Sequence, residues 1–274
     1  MHWPWPLLWP IRSRGPDIKH VARKRFGQNF LHDQGVINRI LTHFRPQKGE
    51  RIVEIGPGLG ALTWPLLEQI DDLHAIELDR DLVARFRADP RASGRLHLHQ
   101  ADALSFDFSS LVDSTHKLRI IGNLPYNIST PLLFHLLTFA PAIQDMMFML
   151  QKEVVQRITA DPGGKNYGRL SVMLQAKCVV EKVLDVSPGA FTPPPKVDSA
   201  VVRLIPHKEP IADIPNPENF ARLVKAAFTQ RRKTLRNNLK GIMTGDEIIE
   251  AGVDPSVRAE TLSLDNFATL AKQI

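Results

Sequence analysis

The chain of 274 residues is long enough for one large α/β domain with a small appendage, and its 43% hydrophobic content is ample for a core, which excludes disorder of the whole. Lys and Arg number 35 against 29 Asp and Glu, a formal charge of +6 with a sequence pI of about 9.5, compatible with a polyanionic partner. The single cysteine, Cys178, excludes an intramolecular disulfide and a cysteine-built zinc site and fits a reducing compartment, by default the cytoplasm.

The first ten residues, MHWPWPLLWP, lack the basic n-region and small-residue cleavage site of a signal sequence, and three prolines prevent a continuous helix. Residues 1–20 are therefore expected to be a disordered tail, and no uninterrupted apolar stretch of about 18 residues exists anywhere to cross a membrane. Next comes a basic arm with Arg23, Lys24 and Arg25 beside Phe26.

From about residue 30 to 205, β-rich runs alternate with helix-length segments: RIVEI (51–55), LHAIEL (73–78), RLHLHQA (95–101), LRII (118–121) and MMFML (146–150). Strands spaced by helices predict right-handed βαβ units and a mostly parallel sheet. CVVEKVLDVS (178–187) and DSAVVRLIP (198–206) are joined only by a loop too short for a helical crossover, so they are expected to pair antiparallel at one edge. After a proline-rich polar stretch the pattern becomes helical, which places a boundary near 210, with 21–210 as the α/β domain and 211–274 as a small all-helical one. From Phe220 to Lys240 there are seven basic residues and no acidic one.

Four predicted strand ends carry candidate site residues. RIVEIGPGLG puts Gly56, Gly58 and Gly60 at the first strand-to-helix turn, where missing side chains let a ligand reach the backbone, although such a turn also occurs without a ligand. Glu77, about 20 residues further on, is in register to accept both hydroxyls of a ribose. Asp102 ends the third strand, where it can accept from an adenine amino group. Ligands of open parallel sheets bind at the carboxyl ends of strands, so these residues should line one crevice.

The fourth end reads GNLPYNIS. An exocyclic amine on an aromatic base is a poor nucleophile because its lone pair is delocalised into the ring. Acceptors on both its hydrogens pull it toward tetrahedral geometry: Asn123 offers a side-chain oxygen and Leu124 its carbonyl. Pro125 fixes φ near about −65° and has no N–H, and Tyr126 supplies a face for an extruded base. The same four residues also suit a turn that starts the helix TPLLFHLL.

The runs RKRFGQNFLHD (23–33), VEIGPGLGALT, IELDRDL, GNLPYNISTPLLFHLL, MLQKEVVQRI, YGRLSVMLQ and GAFTPPPKVDSAVVRL closely resemble the bacterial KsgA-type ribosomal RNA small-subunit adenine N6,N6-dimethyltransferases, over roughly 23–240. The resemblance implies a Rossmann-like class I methyltransferase with a C-terminal helical RNA-binding domain that uses S-adenosylmethionine to dimethylate N6 of two adjacent adenosines near the 3′ end of 16S ribosomal RNA; a sulfonium donor already carries a good leaving group, so no metal is expected, and nothing in the sequence demands more than a monomer. It implies immature small ribosomal subunits as partner and a role in ribosome biogenesis. Asn29, Leu31, Gly56, Glu77, Asp102 and Asn123 match the family's cofactor contacts, Asn123 to Tyr126 its catalytic motif, and Phe191 an aromatic residue that lies against the target base; Phe191 also suits packing under the proline loop. Gly58 completes the expected cofactor turn.

Methyl transfer of this kind is direct and in line, needing proximity and electrostatics rather than a covalent intermediate. In AFTQRRKTLRNNLK, Arg231, Arg232, Lys233, Arg236 and Lys240 are expected to crowd on a helix and grip phosphates. A nicotinamide-dependent oxidoreductase would share the glycine turn and Glu77 but gives no account of NLPY or Asp102. Adenine methylation of large-subunit RNA or of DNA would use the same core, and a ribosome assembly checkpoint role would use the same surface.

Overall fold

A computed structural model of the protein describes residues 29–112 and 116–274. The expected tail and the arm with Arg23, Lys24, Arg25 and Phe26 lie outside the described residues. The described residues open with β1 (Phe30–Leu31) and α1 (Gln34–Phe44), then run through β2 (Arg51–Ile55), α2 (Thr63–Leu67), β3 (Leu73–Glu77), α3 (Arg80–Ala88), β4 (Leu96–Gln100) and β5 (Leu118–Asn123). Next come α4 (Ser129–Leu137), β6 (Ile143–Gln151), α5 (Lys152–Ile158), α6 (Arg169–Gln175), β7 (Cys178–Val186), β8 (Phe191–Thr192) and β9 (Ser199–Pro206). Helices α7 (Pro217–Ala227), α8 (Leu235–Asn238), α9 (Gly245–Glu250) and α10 (Leu264–Ala271) close the chain.

The seven long strands form one sheet in the order β4-β3-β2-β5-β6-β9-β7. The first five are parallel, and the expected antiparallel pair is present at one edge: β9 runs against both β6 and β7, so the reversed strand is the inner member of that pair. Every central strand is buried on both faces, which is why it reads as a nearly continuous apolar run. Alternate residues feed opposite layers: Val53, Ile55, Met146 and Phe148 pack with α4, α5 and α6, whereas Ile52, Met147 and Met149 pack with α1 and α2. The two-stranded pairing of β1 with β8 sets Leu31 opposite Phe191 and ties the entry of the chain to the proline loop.

Helix α1 shows the local logic. Asp33 caps it by accepting from the Val36 N–H at 2.9 Å, and Ile37, Ile40, Leu41 and Phe44 form its buried stripe. Its C-terminal carbonyls meet a cation: Arg119 Nη2 donates to the Phe44 carbonyl at 2.6 Å and Nη1 to the Arg45 carbonyl at 3.2 Å. The same guanidinium holds Asp145 with two bonds of 2.7 and 3.0 Å and Glu50 with one of 2.7 Å, while Arg203 reaches Asp145 from β9 at 2.7 Å. One buried arginine thus joins α1, β5 and β6.

The C-terminal helices surround a third cluster that takes in Tyr167, Val172 and Ala176 from the α6 region alongside Phe220, Leu235, Ile248 and Phe267. Removing one partner of a buried charge network leaves the others desolvated and unpaired. Asp145→Ala is therefore expected to cost about 3–5 kcal/mol, read as a lower denaturant midpoint in guanidinium unfolding.

Candidate functional site

A cavity of about 350 Å³ opens at the carboxyl ends of the strands, beside the junction of β2 and β5 where strand order reverses. Asn29, Leu31, Gly56, Gly58, Glu77 and Asp102 all line it, as do Asn123, Leu124, Pro125 and Tyr126. Gly56, Gly58, Glu77, Asp102 and the run from Asn123 are brought together because each ends or follows a strand of the same parallel array, while Asn29 and Leu31 reach the cavity at and beside β1.

The glycine turn shapes the cavity floor. Gly56 and Gly58 have φ of 67° and 57°, the left-handed region that favours glycine. A Cβ on Gly58 would sit 3.2 Å from the Phe30 ring, so the turn also fits under β1.

Two carboxyls face the cavity from adjacent strands. Glu77, buried, accepts from the Asp79 N–H at 2.8 Å; burial raises its pKa, opposed by the backbone N–H groups of Asp79, Gly58 and Leu78. Glu54, 2% exposed, accepts from Thr63 Oγ1 at 2.7 Å. Burial, reinforced by the nearby Glu77 and partly offset by Thr63, pushes the Glu54 carboxyl up to about 8. At the rim, exposed Asp102 accepts from the Leu104 N–H with Oδ1 at 2.9 Å, and Oδ2 has no hydrogen-bond partner among the described residues. Ribose hydroxyls and an adenine amine need such acceptors, so the cavity fits an adenosine-bearing donor.

Asn123, half-buried, donates from Nδ2 to the Asn29 carbonyl at 2.9 Å. One amide hydrogen is thereby committed, which fixes which end of the amide is nitrogen and leaves the amide oxygen able to accept from an incoming amine. Past it the backbone turns sharply: the Pro125 carbonyl accepts from the Ile128 N–H at 3.2 Å and the Tyr126 carbonyl from Ser129 Oγ at 3.0 Å. The Tyr126 hydroxyl bonds to Ser199 Oγ at 2.7 Å, and burial raises its pKa despite that bond.

A family model described as ribosomal RNA adenine dimethylase matches residues 19–274. The chain belongs to the ribosomal RNA adenine dimethylase family. It is 57% identical over 256 residues to a protein of Pseudomonas aeruginosa named ribosomal RNA small subunit methyltransferase A, covering 93% of this chain and 96% of that one. Among solved structures it is similar to a dimethyladenosine transferase from Plasmodium falciparum, with a TM-score of 0.74 and 26% identity over 88% of this chain and 95% of that one. The 23S rRNA methyltransferase ErmE is similar at a TM-score of 0.69 and 25% identity, over 89% of this chain and 99% of that one. The protein is thus an enzyme, a methyltransferase of ribosomal RNA adenine.

Not every expected site residue of this dimethylase lies at the cavity. Phe191 is 2% exposed and packs with Leu31, Leu184 and Ala190; its place opposite Leu31 in the β1–β8 pair turns it into the core rather than toward a base. The basic run departs from the expected single helix, because α7 ends at Ala227 and α8 spans only four residues. Asn238 explains the break: Nδ2 donates to the Ala227 and Gln230 carbonyls at 2.7 and 3.1 Å, and Oδ1 accepts from the Gln230 N–H at 3.2 Å. Within the run Arg231 is paired, with Nε 2.8 Å from Glu260 and Nη2 donating to the Lys165 carbonyl. Arg236 lies against Gly245, where a Cβ would fall 2.6 Å from its Nη2. Arg232, Lys233 and Lys240 are exposed and make no ion pair with any described residue.

Among the cavity residues of the dimethylase, Glu54, Leu78 and Leu104 went unremarked in the sequence. Glu54 had a signal, a carboxyl inside an apolar strand directly before a glycine turn. Leu78, 50% exposed beside Glu77, offers the cavity an apolar face, and nothing in the pattern IELDRDL separates it from a core residue.

A carboxyl with a raised folded-state pKa binds its proton more tightly folded than unfolded, so its contribution to stability is present at low pH and lost as pH rises from 4.5 through about 8. His74, held neutral by burial and then by its cationic neighbours and lowered to about 4, has the opposite slope between 4 and 6.5. The clean window is therefore above pH 6.5. Ligand-free Glu54→Gln is expected to lose less melting temperature than wild type between pH 6.5 and 8, measured by differential scanning calorimetry; equal slopes would remove Glu54 as the titrating group.

Proposed function

We propose that this enzyme transfers methyl groups from S-adenosylmethionine to N6 of two adjacent adenosines near the 3′ end of 16S ribosomal RNA, dimethylating each. The observation that carries this reading is the Asn123 amide, anchored by its nitrogen to Asn29 and left with its oxygen for an amine, in one cavity with the glycine turn, Glu77 and Asp102. The small subunit is favoured because the relative at 57% identity is named for it, whereas the 23S enzyme is similar at 25%.

In this reading the bound donor supplies a methyl group on a positively charged sulfur with a good leaving group. The chain supplies the rest. Glu77 accepts from the ribose, Asp102 from the adenine amine, and the turn at Gly56 and Gly58 admits the donor against the backbone. Asn29 and Leu31 close the cavity from β1. Asn123 Oδ1 and the Leu124 carbonyl accept from the target amine and stabilise positive charge growing on nitrogen, Pro125 with its fixed φ helps hold that carbonyl toward the pocket, and Tyr126 stacks the extruded base. No metal is required, since neither the nucleophile nor the leaving group needs Lewis-acid activation. Once alkylated, the nitrogen is acidic enough to lose its proton to solvent.

Residues 21–210 then form the methyltransferase domain and 211–274 a helical RNA-binding domain that presents Arg232, Lys233 and Lys240 to phosphates. Arg231, held by Glu260, shapes this surface and exposed Arg236 adds to it, whereas Phe191 sits in the core beside β1. The reading makes the protein a monomer of the cytoplasm that acts on immature small subunits; no helix among the described residues is long and apolar enough to cross a membrane.

Incubation with labelled donor and immature small subunits, followed by nucleotide mapping, is expected to place label on two adjacent adenosines near the 3′ end. Label elsewhere would reassign the substrate. Asn123→Ala is expected to cut transfer by about 10²–10³-fold while calorimetry still detects donor binding, and unchanged turnover would end its catalytic role. Arg232→Ala and Lys233→Ala are each expected to reduce the salt slope of RNA binding by about 1, one phosphate no longer being neutralised in either variant.

A further inference from the structure

We propose that Ser199 is a positioning residue that holds the Tyr126 ring in the orientation that receives the target adenine, acting through the bond between their two hydroxyls. The proposal rests on the reading of NLPY as the catalytic motif.

Ser199 opens β9 and is wholly buried, in a strand whose next three residues, Ala200, Val201 and Val202, are all apolar core. A hydroxyl at such a position is destabilising unless it is bonded, and an alanine would fill the place without that penalty. Its side chain has one partner among the described residues, the Tyr126 hydroxyl at 2.7 Å, and Tyr126 has no other side-chain partner among them. Ser199 does not line the cavity, whereas Tyr126 does, so any effect on the reaction must pass through the tyrosine.

Both ends of the tether are rigid. The Ser199 backbone is in register with Gln151 of β6 on one side and Val186 of β7 on the other. Its predecessor is fixed as well, because the Asp198 carbonyl accepts from the Lys152 N–H at 2.9 Å. The Tyr126 backbone is held by the turn already described, with Ser129 Oγ on its carbonyl. A tyrosine fixed at its backbone by one element and at its hydroxyl by another has both side-chain torsions set before a base arrives. Preorganisation of this kind matters because small displacements of a reacting group are costly in rate. Burial raises the Tyr126 pKa, so the phenol keeps its proton and the bond persists across neutral pH. The reversed strand β9 therefore carries out a task at the active site as well as extending the sheet.

The test is a double-mutant cycle on single-turnover methyl transfer with Ser199→Ala, Tyr126→Phe and the pair. Each single change is expected to slow transfer about ten-fold, with the pair no slower than either, because both remove the same bond. Donor affinity by calorimetry is expected to stay at the wild-type value in all three. RNA carrying 2-aminopurine at the target position is expected to show less stacking quench with Ser199→Ala than with wild type, a readout that a purely structural serine would not move. A wild-type rate in Ser199→Ala, or effects that multiply to about a hundred-fold in the pair, would overturn the proposal. Asn123→Ala separates the two levels: if it leaves transfer intact, the motif reading itself fails, whereas if it abolishes transfer and the cycle shows no coupling, only the role of Ser199 fails.

Discussion

Two backbones meet at the centre of the sheet with almost no side chain between them, and the site depends on that contact. A Cβ on Gly122 would fall 2.5 Å from the Ile55 carbonyl oxygen, and one on Gly56 would fall 3.9 Å from the Asn123 carbonyl. Glycine at 122 lets the end of β5 lie directly against the end of β2. The glycine turn and the NLPY motif are thereby adjacent, and in the proposed reading donor and acceptor are adjacent too, as transfer in a single in-line step requires. Elements further out in the sheet serve this pair: β3 and β4 add Glu77 and Asp102 on one side, and β6 and β9 support Asn123 and Tyr126 on the other.

The electrostatics of the cavity follow from the same crowding. Glu54 and Glu77 approach each other in a buried setting, and the structure resolves the conflict by letting Glu54 keep its proton while backbone N–H groups support Glu77. A donor that bears positive charge would be met by two buried acidic side chains, both with raised pKa. In the proposed reading the amine meets neutral acceptors, an amide oxygen and a carbonyl. Full negative charge there would bind a cationic product tightly, whereas dipoles stabilise charge as it forms and release the product more readily.

Much of this was legible because parallel strands buried on both faces leave an unambiguous apolar signature, and because a site built at strand ends inherits its order from the chain. Gly56, Glu77, Asp102 and Asn123 converge for that reason alone. What the sequence could not show were the partners at long range. The basic run looked like one helix because its charges are local, whereas the break is made by Asn238 reaching back to Ala227 and Gln230. Arg231 looked like a free cation because Glu260 is 29 positions away. Phe191 offered a ring without a direction, and only its pairing with the β1 residues set that ring into the core. Ser199 was one hydroxyl in an apolar strand, and its meaning lies entirely in Tyr126.

The C-terminal helices complete the same logic, since recognition of a large RNA requires the surface that grips it to be fixed relative to the cavity. Tyr167 of the α6 region is buried in the third hydrophobic cluster and donates its hydroxyl to the Leu262 carbonyl at 3.0 Å. The Gly163 N–H donates to the Glu260 carbonyl at 2.7 Å, while the Glu260 side chain holds Arg231. Apolar packing thus sets the distance between the two regions, and directional bonds at Leu262 and Glu260 set their angle. Within that frame Arg231 is held by Glu260, while Arg232, Lys233, Arg236 and Lys240 stay exposed, and in the proposed reading phosphates are gripped on these helices and the atom is chosen at Asn123.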